Sequence, residues 1–259
     1  MKFNKEMGQV FLTENSYIKK IIDSLDVEGK DVLEVGPGRG EITRHLINKV
    51  NSLFCVELDT RLVTILEKHF SFYDNFKVIT GDILKIDLSV FKKRLVLVGN
   101  VPYYISNQLI KCLINQRAWV ERAYFTFQRE FAGKLCAKAG DKSYSFLSCY
   151  VQYFCRAKII FEIPNTAFRP RPKVDSSFVQ MDFLKAPPYE VKDEKLFFKL
   201  IRTAFAGRRK KLINALNPAY DKELLSEAAK NTGLDLGIRP DSFPLEGYCK
   251  ITNYLTLRV

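Results

Sequence analysis

Histidine is nearly missing from this chain, and that absence narrows the chemistry open to it. His45 and His69 are the only two in 259 residues, and neither has a second plausible ligand beside it. No zinc site, and no resident metal of another kind, is therefore expected. Long hydrophobic runs are also absent: no stretch approaches the ~20 apolar residues that a bilayer-spanning helix needs. The opening Met1-Lys2-Phe3-Asn4-Lys5-Glu6 has no apolar core of a signal peptide, and Glu6 and Glu14 do not suit a transit peptide. The expectation is a cytoplasmic protein with no membrane partner. Six cysteines are present, but no pair has the C-x-x-C spacing. Cys55, Cys112, Cys136, Cys149, Cys155 and Cys249 are scattered, several within apolar runs, and read as reduced thiols acting as small hydrophobes.

Acidic residues are outnumbered, 29 Asp and Glu against 41 Lys and Arg, and the excess is localised. Residues 1–116 hold 16 basic against 14 acidic side chains, residues 117–211 hold 20 against 9, and residues 212–259 hold 5 against 6. A basic excess gathered in the middle third implies a polyanionic partner.

What remains is the composition of a soluble α/β protein. Asp31–Val35, Leu53–Val56, Phe76–Ile79, Leu95–Val98 and Tyr124–Phe127 are short apolar runs that read as buried strands. Between them Ile42, Leu46 and Ile47, then Leu62, Ile65 and Leu66, mark helix faces. Strands alternating with helices predict a doubly wound, mostly parallel sheet with its ligand crevice at the strands' carboxyl ends. After Pro187-Pro188 the pattern turns helical: Leu196, Phe197, Leu200, Ile201, Ala204 and Phe205 share one face, and further helices are expected over 208–216, 224–231 and 245–255. The predicted organisation is a catalytic domain over residues 1–186 and a small helical domain over 187–259, without internal repeats.

Glu34-Val35-Gly36-Pro37-Gly38-Arg39-Gly40 lies between a predicted strand and helix. Glycines there permit a sharp turn and close approach of a ligand to the backbone. Dinucleotide enzymes use a related G-x-G-x-x-G loop, but here the third glycine arrives one residue early. The pattern fits the E-x-G-x-G-x-G loop of S-adenosylmethionine enzymes. Glu57 ends the next strand, where a carboxylate can accept both ribose hydroxyls of a nucleoside cofactor. Asp82 follows the third strand, placed to accept from an adenine amine. Gly99-Asn100-Val101-Pro102-Tyr103-Tyr104 follows the fourth and resembles the (Asp/Asn/Ser)-Pro-Pro-(Tyr/Phe) signature of enzymes that methylate nucleobase amines. Such an amine shares its lone pair with the ring. Acceptors around its N–H bonds, here the Asn100 carbonyl and a backbone carbonyl of Val101 or Pro102, draw it toward tetrahedral geometry and free that pair. Tyr103 offers an aromatic face to a base that has left its stack.

These motifs, with Gly8-Gln9-Val10-Phe11-Leu12, Glu57-Leu58-Asp59, Gln128-Arg129-Glu130, Pro170-Arg171-Pro172-Lys173-Val174-Asp175-Ser176, Ala204-Phe205 with Arg208-Arg209-Lys210, and Arg239-Pro240, resemble the ribosomal RNA adenine N6,N6-dimethyltransferase family along nearly the whole chain. The resemblance implies dimethylation of two adjacent adenosines near the 3′ end of small-subunit rRNA, within the immature subunit, by a monomer. It places Val10, Leu12, Gly36, Gly38, Glu57, Asp82 and Asn100 at the cofactor, and Asn100, Pro102, Tyr103 and Phe168 at the target adenine, Phe168 opposite Tyr103. It assigns Arg169, Arg171, Lys173, Arg208, Arg209, Lys210 and Lys211 to RNA phosphates. Val10 departs from the family pattern, which carries Asn there, so any cofactor contact at that position must use the backbone. Val101 replaces the usual Leu and keeps the position apolar.

Three other readings share parts of this pattern. A large-subunit rRNA adenine methyltransferase of the macrolide-resistance type would keep Asn100 and Tyr103 but fits the C-terminal motifs less well. A non-enzymatic nucleic-acid-binding protein on the same scaffold would have no need of Asn100 or the glycine loop. A dinucleotide oxidoreductase would leave Asn100 to Tyr103 without a role.

Overall fold

The computed structural model describes residues 10–258; Gly8-Gln9 of the N-terminal motif and the Met1–Glu6 reading lie outside the described residues. The chain begins with β1 (Phe11–Leu12) and α1 (Asn15–Ser24), then alternates through β2 (Asp31–Val35), α2 (Thr43–Leu46), β3 (Ser52–Glu57), α3 (Thr60–Phe70), β4 (Phe76–Thr80), β5 (Leu95–Asn100), α4 (Ser106–Asn115) and β6 (Val120–Gln128). It continues through α5 (Arg129–Cys136), α6 (Phe146–Phe154), β7 (Cys155–Ile163), β8 (Phe168–Arg169) and β9 (Ser176–Phe183). Seven strands form one sheet in the order β4-β3-β2-β5-β6-β9-β7, and β1 pairs antiparallel with β8 in a separate ribbon.

β4, β3, β2, β5 and β6 run parallel, and β9 runs antiparallel to β6. This is the α/β fold expected from the apolar runs. β2 and β5 are covered on both faces, with Val32, Leu33, Leu97 and Val98 fully buried, which is why they read as continuous hydrophobic stretches. Both strands of the ribbon and two strands of the seven-stranded sheet escaped the sequence reading. β7 carries exposed Arg156, Lys158 and Glu162, and β9 interleaves Gln180 and Asp182 with its apolar residues. Strand order reverses between β2 and β5, so the crevice beyond their carboxyl ends is where a ligand is expected.

The chain divides into two compact units: one runs to Ala132 and resumes over Ala157–Lys185, and the other joins Gly133–Arg156 to the helices after Ala186. The division differs from the single cut at 186/187 drawn from the sequence. Aromatic packing accounts for the difference: Tyr153 of α6 meets Phe197 of α7 (Glu194–Ala206) at 5.0 Å between ring centroids, and Tyr150 meets Phe198 at 5.2 Å.

In this second unit Asp193 caps α7 by accepting from the Leu196 N–H at 2.9 Å, and Gly207 ends it. Gly207 lets α8 (Leu212–Leu216) approach closely, because a Cβ there would lie 2.8 Å from that of Ala215. The expected helix from Arg208 therefore starts only at Leu212. α9 (Lys222–Thr232) is capped by Asp221, and α10 (Leu245–Thr256) buries Tyr248, whose hydroxyl donates to the Pro240 carbonyl at 2.9 Å. Among the described residues no helix is long and apolar enough to cross a membrane.

Candidate active site

The glycine loop after β2 is built from backbone conformations that side chains resist. Gly36, Gly38 and Gly40 all have positive φ, 63°, 62° and 84°. A Cβ on Gly40 would also sit 2.6 Å from the Phe70 ring. The loop turns back under the end of β3, where the Gly38 N–H donates to Glu57 Oε2 at 3.2 Å and the Asp59 N–H donates to Oε1 at 2.9 Å. A carboxylate has about four acceptor positions, so the bonds from Gly38 and Asp59 leave Glu57 capacity for hydroxyls. Burial pushes the Glu57 carboxyl above its ordinary range, while these backbone donors draw it back.

Glu34, the acid before the loop, is 1% exposed. Its Oε2 accepts from Thr43 Oγ1 at 2.7 Å and from the Cys55 thiol at 3.8 Å. Burial pushes its carboxyl up from 4.5 to about 7, and the charges of Glu41 and Glu57 add to the rise. Between those two pH values the native state keeps a proton that the unfolded chain has released. The stability contributed by this group is thus full below about 4.5 and declines as pH rises to 7. Unfolding free energies of wild type and Glu34→Gln, from urea titrations across pH 4.5–8, are expected to diverge. The wild type should lose roughly 3 kcal/mol relative to the variant as pH rises. A difference that does not change with pH would mean that the buried carboxyl stays ionised.

Asn100 ends β5 and is held from a distance in sequence: its Nδ2 donates to the Val10 backbone carbonyl at 2.7 Å. That bond occupies the donor end of the amide and leaves Oδ1 as the end able to accept. Val10 contributes through its backbone, and its carbonyl is committed to Asn100. Val101 is buried, Pro102 turns the chain, and Tyr103 opens a short 3₁₀ turn. The Tyr103 hydroxyl and Ser176 Oγ share a hydrogen bond of 2.6 Å, which anchors the ring to the start of β9. Burial raises the Tyr103 phenol, so it stays protonated at neutral pH.

These residues share one crevice of about 750 Å³, counted with its open mouth. Val10, Leu12, Gly36, Gly38, Glu57, Asn100, Pro102 and Tyr103 all line it. So do Val101, whose backbone the sequence reading had placed beside the target amine, and Phe11, Glu34, Pro37, Glu41, Ile42 and Leu62, to which it gave no role in the site. Ile42 and Leu62 had read as helix core, and their apolar spacing carries no mark of a ligand wall. Phe11 stood within the quoted N-terminal motif, the one signal that could have found it. Among the described lining residues three are carboxylic acids and none is Lys or Arg. A pyrophosphate would be repelled there, whereas a sulfonium cation suits it. The glycines, Glu57 and apolar walls therefore fit S-adenosylmethionine.

Other expected site residues lie elsewhere. Asp82 caps the turn after β4, Oδ1 accepting from the Leu84 N–H at 3.0 Å, and is not part of the crevice wall. Phe168 requires a correction: it is fully buried, pairs across the ribbon with Leu12, and packs in the hydrophobic core instead of facing Tyr103 across the crevice. Arg169, Arg171 and Lys173 are exposed, the first two braced by the Thr166 carbonyl at 3.0 Å and by Asn165 Oδ1 at 2.9 Å. Arg208 is half-buried, bonded to Asp241 at 3.2 Å and to the Lys142 carbonyl, while Arg209, Lys210 and Lys211 are exposed.

Comparison with known proteins agrees with this geometry. A sequence model described as "Ribosomal RNA adenine dimethylase" matches residues 1–257. A protein named ribosomal RNA small subunit methyltransferase A from Clostridium botulinum is 36% identical over 97% of this chain and 94% of its own length. Its namesake from Geobacillus thermodenitrificans is 34% identical over 98% and 91%. A dimethyladenosine transferase from Plasmodium falciparum superposes with a TM-score of 0.81 at 25% identity, covering 93% of this chain and 95% of that one. The 23S rRNA methyltransferase ErmE shares the fold, with a TM-score of 0.77 at 23% identity over 95% and 99%.

Proposed function

Because the chain belongs to the ribosomal RNA adenine dimethylase family, we propose that it dimethylates N6 of two adjacent adenosines near the 3′ end of small-subunit rRNA, acting as a monomer on the immature subunit in the cytoplasm. The observation that carries this reading is the orientation of Asn100. With Nδ2 bound to the Val10 carbonyl, Oδ1 is the group left to accept an N–H from the target amine. S-adenosylmethionine, when bound, supplies an electrophilic methyl group on a sulfonium. Glu57 and the glycine loop would hold its nucleoside part, and the acidic lining suits its positive charge.

The chain's own contribution is positioning and electrostatics. Oδ1 of Asn100 accepts from the exocyclic amine and lets its lone pair localise on nitrogen, and the Tyr103 ring, anchored through Ser176, supports the base. No strong base is required, since the methylated nitrogen becomes acidic and loses a proton to solvent. A second transfer to the same nitrogen needs exchange of spent cofactor, which the open mouth of the crevice permits. Incubation with labelled cofactor and under-methylated small subunits, followed by mapping of modified nucleotides, tests the reading. Label confined to large-subunit RNA would favour the macrolide-resistance alternative, and absence of label the non-enzymatic one.

The exposed basic residues give a second test. Arg209→Ala with Lys210→Ala is expected to lower the slope of log affinity for RNA against log salt by about 1–2. Arg208→Ala, which breaks the bonds to Asp241 and Lys142, should instead lose about 1–2 kcal/mol of stability. Anisotropy titrations at several salt concentrations and urea melts separate the two. A slope that falls only in Arg208→Ala would reverse the assignment.

A further inference from the structure

A second cavity, of about 870 Å³ with its mouth, lies in the same unit as the candidate active site but at the opposite end of the sheet. It is lined by Arg94, Asn115, Arg117, Ala118, Leu184 and Lys185. Arg94 immediately precedes β5, Arg117 lies in the turn before β6, and Lys185 follows β9, whose end pairs with the start of β6. These are the amino ends of the parallel strands, whereas Asn100 and the glycine loop lie at the carboxyl ends.

Among the described residues three cationic side chains line this cavity and no acid does. The nearby carboxylates are engaged elsewhere. Glu121 pairs with Lys30 at 3.0 Å, Asp31 with Lys93 at 2.9 Å, and Asp182 with Arg122. A register shift in the β5–β6 ladder between Leu95 and Val96 leaves Glu121 out of the pairing. Both arginines are oriented by backbone: Arg94 Nη2 donates to the Val120 carbonyl at 2.7 Å, and Arg117 Nη1 to the Ile114 carbonyl at 3.2 Å. Arg94 Nε is buried and has no hydrogen-bond acceptor among the described residues. That N–H is closed to solvent, so it is not a donor that a ligand in the cavity could reach.

We propose that this cavity is a phosphate-binding site that takes a backbone phosphate of the RNA, a contact separate from the catalytic crevice. The inference rests on the rRNA methyltransferase reading for its choice of RNA as the source. Two guanidiniums held by carbonyls place fixed positive charge beside a tetrahedral oxyanion, and exposed Lys185 adds a flexible charge at the rim. Both Arg117 and Lys185 belong to the basic middle third, so this site accounts for part of a charge excess that the catalytic crevice does not use.

The test uses the full chain and a labelled small-subunit rRNA 3′-end fragment, titrated by anisotropy over a range of salt concentrations. Lys185→Gln is expected to lower the log–log salt slope by about 0.7–0.9, and Lys185→Gln with Arg117→Gln by about 1.5. The rate at saturating RNA should stay within twofold of wild type. Lys185 is exposed, so the single variant keeps the test valid if loss of Arg117 unfolds the chain. Unchanged slopes in Lys185→Gln, alongside normal methylation by the wild type, would overturn the site. Failure of the wild type to methylate any rRNA would instead count against the functional reading. In a second arm inorganic phosphate is titrated calorimetrically. Saturable binding abolished by Lys185→Gln, together with an unaltered RNA slope, would overturn RNA as the source.

Discussion

Asn100→Ala is expected to lower the single-turnover rate of methyl transfer by two to three orders of magnitude, the range seen when one preorganised polar group is removed from a reaction centre. Two losses combine in this variant. The acceptor facing the target amine disappears, and the Val10 carbonyl loses the donor that ties the N-terminal segment to the end of β5. Asn100→Asp separates them. A carboxylate keeps an acceptor but cannot donate to Val10, so its Oδ atoms and that carbonyl repel each other. The Asp variant should recover part of the rate while binding cofactor more weakly than wild type. Glu57 and the glycine loop do not depend on Asn100, so calorimetry on Asn100→Ala should show at most about a tenfold loss in cofactor affinity, or ~1.4 kcal/mol. Full activity in Asn100→Ala would end the assignment of this residue, whatever the family resemblance implies.

Gly99→Ala should be the most damaging substitution that touches no substrate. Gly99 pairs with Val35 on the neighbouring strand, and a Cβ there would lie 2.5 Å from the Val35 carbonyl oxygen and 3.2 Å from its Cβ. The obstacle is backbone of a strand buried on both faces, so it cannot swing aside as a side chain would. Separating β2 from β5 is the only relief, and it costs about 2–3 kcal/mol. For a chain of this size that corresponds to a melting temperature lower by roughly 5–10 °C. The same displacement would part Gly36 from Asn100, since the two lie beyond the paired ends of these strands. Cofactor affinity and transfer rate should therefore fall together, unlike in Asn100→Ala. A thermal scan indistinguishable from wild type would show that the β2–β5 ladder tolerates a methyl group and that the glycine is not required for close approach.

Much of this molecule was determined within short windows of sequence. The apolar runs at Asp31–Val35 and Leu95–Val98 become central strands because a strand covered on both faces can carry little but hydrophobic side chains. The glycines at 36, 38 and 40 adopt the positive φ that their spacing between strand and helix implied. Glu57 and Asn100 fall at strand ends, so their distance from the loop followed once the strands were taken as parallel neighbours. Torsional preference and solvation act on a residue and its neighbours, and a linear pattern records both.

Tertiary structure decided what depends on residues far apart in sequence meeting. The Val10 carbonyl orients Asn100 across 90 positions, and nothing local to either residue announces that bond. Phe168 read as a site residue because it precedes a recognisable motif, yet it is packed within the hydrophobic core. Residues 133–156 joined the C-terminal helices through aromatic contacts between α6 and α7. Arg208, one of four consecutive basic residues, was drawn from the surface by Asp241 and the Lys142 carbonyl. Three basic residues at the amino ends of the strands came to share one cavity only when strand order was set. In each case the deciding energy is a pairwise contact or hydrogen bond between distant segments, and a sequence pattern holds no record of which distant partner a side chain will meet.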